Sequence, residues 1–79
     1  MLILKNIKIN NGCIEANYAP ENSSETGYIK INSQTKSLIE SEKTSFDDPL
    51  PSYFSHAVKV LIKLIDEEQL PEEKVVMWF

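Results

Sequence analysis

One imidazole and one thiol are the side chains of this sequence best equipped for chemistry near neutral pH. His56 is the natural general-base candidate, because an imidazole changes charge between about pH 5 and 8. Tyr53, or the thiol of Cys13, could complete a small-molecule or catalytic site with it. Yet helical spacing puts His56 on the same arc as Lys59 and Lys63, which is the wet arc, and nothing pairs a nucleophile with a base. The plainer reading is a surface histidine. Cys13 lacks a resolving cysteine and reads as an inert strand residue, and a lone thiol rules out an intramolecular disulfide.

The carboxylates offer two chemistries. Asp47 and Asp48 could hold a metal, but no alternating oxygen-ligand spacing follows them, so they read as acids at a helix start. The run Asp66, Glu67, Glu68, Glu72 and Glu73 could mimic nucleic-acid charge for a DNA-binding partner, although a charge run is usually a solvated face and a net charge of -4 is small for a decoy. Gly12 and Gly27 are the only glycines and stand far apart, which excludes a glycine-rich phosphate loop. No cofactor or metal site is expected. All eight basic residues are lysines, so the bidentate fork that reads phosphate and guanine is missing, and nucleic acid is not the expected partner. The abundance of Ile, Asn and Lys points to an AT-rich coding sequence of bacterial or phage kind.

The C-terminal run Val75-Val76-Met77-Trp78-Phe79 follows Lys74 without a polar member. As a strand it would point Val76 and Trp78 one way and Val75, Met77 and Phe79 the other, so both faces are large and apolar. It is either a central or doubly covered strand, or one whose second face meets another chain. Trp78, Phe79 and Met77 are therefore the candidate interaction residues, with Tyr28 and Tyr18 as neighbours across the sheet.

The elements that position these residues follow from period and punctuation. Residues 2–9 read as a strand with Ile3, Ile7 and Ile9 on one side, and Asn11-Gly12 is a hairpin turn. Residues 13–19 return, with Ile14, Ala16 and Tyr18 inward and Cys13, Glu15 and Asn17 outward. A mobile polar loop covers 20–27, a third strand 28–32 turns Ile29 and Ile31 inward, and 37–45 reads as an edge strand guarded by Glu40, Glu42 and Lys43. From Ser52, the expected N-cap, to about Gln69, apolar residues recur at helical spacing.

The expected fold is α+β: a four-stranded antiparallel meander, one amphipathic helix packed on one face, and a C-terminal strand beside the first, in the order ββββαβ and as a single small domain over 1–79. A hydrophobic fraction of 42% with 25% charged residues fits a folded domain. No segment approaches a membrane span. The sequence thus points to a small cytoplasmic protein without enzymatic activity that acts by binding a protein partner or by forming a homo-oligomer.

Overall fold

The computed structural model describes residues 1–48 and 50–78. Strands β1 (Leu2–Asn10), β2 (Cys13–Pro20), β3 (Gly27–Asn32) and β4 (Leu38–Glu42) form the expected antiparallel meander. A 3-10 turn (Ser45–Asp47) leads to helix α1 (Ser52–Leu64), and β5 (Lys74–Val76) closes a five-stranded sheet of order β4-β3-β2-β1-β5. Among the described residues no helix is long and apolar enough to cross a membrane.

The β1–β2 turn forms as the sequence requires. Asn11 and Gly12 both adopt positive φ, 53° and 77°, the mirror-image turn whose twist suits a two-residue hairpin. The side on which β1 packs is a correction. Asn6, at φ 55°, forms a bulge with Ile7 opposite Ala16, so the register slips between Lys5 and Lys8. Leu2 and Leu4 before the bulge share a face with Ile7 and Ile9 after it, and Ile3 points the other way. A strict period of two cannot show this, because one extra residue inverts the alternation.

Leu2, Leu4, Ile7, Ile14, Ile29 and Ile31 cover the inner face and receive Ala57, Leu61 and Leu64 of α1, with Val76 of β5 at the margin. Among the described residues no helix or second sheet covers the opposite face. The helix stops earlier than the apolar period implies, at Leu64 rather than Gln69. Asp66, Glu67, Glu68 and Gln69 have nothing to bury, and carboxylates at the negative end of the helix dipole do not favour another turn. Tighter turns replace it, with the amides of Asp66 and Glu67 donating to the Lys63 and Leu64 carbonyls. Strand β4 is also shorter than expected, because Thr44 turns inward to cap the 3-10 segment.

That segment carries a buried carboxylate held by several hydrogen bonds. Asp47 is 6% exposed, and its Oδ2 accepts hydrogen bonds from Tyr18 Oη at 2.7 Å and Thr44 Oγ1 at 3.0 Å. Its Oδ1 accepts the backbone N–H of Phe54 at 2.9 Å. Pro51 occupies the N-cap position that Ser52 was expected to fill, and Ser52 is the first helical residue. Proline's side chain cannot accept a hydrogen bond, so Asp47 supplies the missing acceptor from outside the helix. Around it Phe54 packs at a tilt on Tyr18, and the Lys43 ammonium lies 4.9 Å from the Phe54 ring centre.

The β2–β3 loop is tied down rather than free. Glu25 accepts both the N–H and the hydroxyl of Ser45, at 2.8 and 2.6 Å, and Glu21 N–H donates to the Met1 carbonyl. Gly27, at its end, lies under the Tyr18 ring. A Cβ there would collide with that ring and stand 2.6 Å from the Glu42 carbonyl oxygen.

Burial alone would raise the Asp47 carboxyl, but the bonds from Tyr18, Phe54 and Thr44 outweigh it and hold the group below its ordinary 3.8. A depressed folded value means that the stabilisation is complete above about pH 4 and drains away as pH falls through the folded pKa. Asp47→Asn should lower stability near neutrality by about 1–3 kcal/mol and flatten acid unfolding, read from urea midpoints across pH. Gly27→Ala should cost about 1–3 kcal/mol by overpacking in the same assay, and should not add simply to Asp47→Asn because both act on Tyr18.

Candidate functional site

Three rings and an imidazole converge at the end of the molecule where α1 begins. Phe46 comes from the 3-10 turn, Tyr53 and His56 from the first turns of α1, and Trp78 from the residues after β5. Because Tyr53 and His56 stand three apart on one helix face, a single indole can touch both. Trp78 stacks on His56 with ring centres 4.0 Å apart and planes 14° from parallel. Tyr53 meets Trp78 edge-on at 5.5 Å and Phe46 at 5.9 Å. The Tyr53 hydroxyl donates to Glu21 Oε2, which also accepts from the Met1 amino group. Those two hydrogen bonds hold the Glu21 carboxyl below its usual range, the amino group's contribution being the larger, and the same carboxylate raises the Tyr53 phenol.

Strand β5 sits where this end meets the sheet edge. It pairs antiparallel with β1, Leu2 opposite Val76, and is an edge strand rather than a central one. The ladder ends at Val76, short of the expected residue 79. Alternation holds through this short piece: Val76 is buried toward α1 and Trp78 packs on the helix, while Val75 and Met77 are exposed, Met77 by 63%. Phe79 lies outside the described residues.

The remaining candidates do not join this site. Tyr18 is 0% exposed, with its hydroxyl on Asp47, and so offers no surface. Tyr28 stands on the opposite, open face of the sheet, where its hydroxyl donates to Glu15 Oε2 at 2.7 Å and Lys8 pairs with Glu15 Oε1 at 3.2 Å. The hydrogen bond to Glu15, assisted by burial, pushes the Tyr28 phenol up to about 12, and the bonds from Tyr28 and then Lys8 hold Glu15 below its ordinary value.

This polar cluster borders a shallow groove of about 510 Å³ over the β1 bulge, lined by Asn6, Lys8, Glu15, Asn17 and Tyr28, with Glu72 and Glu73 on one side. Its amides are engaged with one another, since Asn6 donates to Asn17 and Asn17 to the Gly27 carbonyl. The chain closes over the bulge through the Ile7 N–H, which donates to the Glu72 carbonyl. The groove lies away from His56. Cys13 is at the hairpin end of β2, whereas Tyr53 reaches Glu21 beyond the other end, so the thiol and the imidazole are not brought together. On the open face Lys5, Lys8 and Lys30 alternate with Glu15, Glu40 and Glu42, which interrupts any stripe of one sign.

The fold and this end surface define a small α+β domain, a meander sheet under one helix with an aromatic row at one end. Comparison with protein-family models, curated proteins and solved structures finds no match to the chain. Sequence reasoning missed Phe46 and the stacking of His56. The equal spacing of Tyr53 and His56 on one helix face was a usable signal, but the indole that joins them comes from the far end of the chain.

Trp78 is half-covered at the rim, so Trp78→Ala should cost about 1–2 kcal/mol in a urea titration, less than the 3–5 kcal/mol of a core tryptophan, and leave the fold intact. Tyr53→Phe removes only the solvent-exposed bond to Glu21 and should fall within about 0.5 kcal/mol of the native chain.

Proposed function

We propose that this chain is a non-enzymatic binding module that docks on another protein chain through the end where the aromatic row meets β5. The observation that carries this reading is the 63% exposure of Met77 next in the chain to Trp78, which joins a row of half-covered rings. Aromatic and methionine side chains bring large apolar area with few torsions to freeze, and they are over-represented at the centres of protein interfaces. The acidic balance and the absence of arginine disfavour a phosphate backbone as partner. At the sheet edges, β4 follows its exposed Leu38 and Ile39 with Glu40 and Glu42, which discourage a second strand, whereas Val75 of β5 and Met77 just after it are exposed with no carboxylate between them. The thiol of Cys13 is free, and a reducing, cytoplasmic setting suits it.

Met77→Glu tests the surface without touching the core. Sedimentation velocity reads self-association, and affinity capture from a lysate of the source organism reads a different partner, each with the native chain and the variant. The native chain should engage a stoichiometric protein, a copy of itself or another, and Met77→Glu and Trp78→Ala should weaken that engagement about tenfold or more. Variants that keep every partner would refute the surface. A native chain that binds nothing in either experiment would refute the module.

A further inference from the structure

The stack of Trp78 on His56 sets the only indole of the chain against its only imidazole, face to face. A neutral imidazole in this position contributes dispersion and offset stacking. An imidazolium adds attraction between its charge and the electron-rich face of the indole, which is strongest for tryptophan among the aromatic side chains. Protonation therefore tightens the hold of α1 on Trp78, and the proton comes from bulk water.

We infer that the His56–Trp78 stack is a pH-sensitive latch, closed on the helix when His56 is protonated and looser when it is neutral, which governs how freely Trp78 can meet a docking partner. The consequence for docking rests on the function proposed above; the latch itself does not. Most other charged groups at this end hold their charge over the range in which imidazoles titrate. Glu21, from the β2–β3 loop, and Asp47, from the 3-10 turn, are carboxyls held below their ordinary values by hydrogen bonds. Lys59 on the next turn of α1 and Lys74 at the head of β5 add two ammonium groups. Glu72 and Glu73 border the groove over the β1 bulge. The competing source of a pH response is the Met1 amino group, which reaches this end through Glu21 and Tyr53.

Acrylamide quenching of Trp78 emission reads the latch in the isolated chain. Between pH 8 and pH 5 the native chain should show at least about a twofold fall in quenching, the size of change that a partly exposed cation–π contact brings. His56→Phe keeps a ring against the indole without a titrating group and should give a flat profile. His56→Gln removes the ring and should leave Trp78 more open to quencher than the native chain at pH 5. A native profile without the fall would overturn the inference. So would a fall that survives in His56→Phe, which would belong to the Met1 amino group. Since no partner is present, the latch can stand while docking fails, and sedimentation at the two pH values reports docking separately.

Discussion

The carboxylate of Asp47 is the constraint on which the arrangement of this molecule turns. A buried charge is costly unless it is fully hydrogen-bonded, and this one is satisfied from three directions by Tyr18, Thr44 and the Phe54 amide. Those partners belong to the middle of the sheet, the chain leaving its edge, and the first turn of the helix. One side chain therefore fixes where α1 starts and at what height it meets β2. The proline at the N-cap makes the arrangement obligatory, because the helix brings no acceptor of its own. In a domain this small, where burial and chain entropy nearly cancel, so concentrated an anchor has disproportionate weight.

A second constraint works at the opposite edge. The bulge at Asn6 turns Ile7 toward the core and frees its amide, and the chain returning from the helix supplies the Glu72 carbonyl that satisfies it. That contact aims the last residues along β1, so β5 pairs antiparallel and Trp78 emerges over the first turns of α1. The aromatic row is thus assembled from three separate stretches of chain. Its position follows from the two anchors, one at the start of the helix and one after its end.

The two faces of the sheet divide the work. The inner face makes the core, and the open face spends its polar side chains on one another, in the Lys8, Glu15, Tyr28 cluster and the Asn6 to Asn17 bond. Apolar surface that neither face absorbs lies in two places: Ile9, Leu38 and Ile39 on β1 and β4, and Val75, Met77, Phe46 and Leu50 along β5 and in the segments before α1. The second of these also carries the aromatic row, which is the physical basis for proposing that end as the place where another chain is met.

Local pattern was enough for the α+β plan, the four-stranded meander, the Asn11-Gly12 turn and the edge character of β4, because turn geometry and alternation are set within a few residues. The same locality put Met77 and Trp78 on opposite faces of the last strand, and the packing decided which face is exposed. It failed wherever one residue's conformation depended on a distant partner. The bulge reversed the side taken by Ile3 relative to Ile7 and Ile9, the acids after Ile65 ended the helix early, and Asp47 rather than Ser52 met the helix amide. Tyr18 and Tyr28, adjacent in a sequence-based picture of the site, were sent to opposite faces of the sheet. The sequence by itself determined the elements and their order, since those depend on period and turn chemistry. Only the tertiary structure decided which residues meet at the aromatic end, since that depends on hydrogen bonds and ring contacts between segments far apart in the chain.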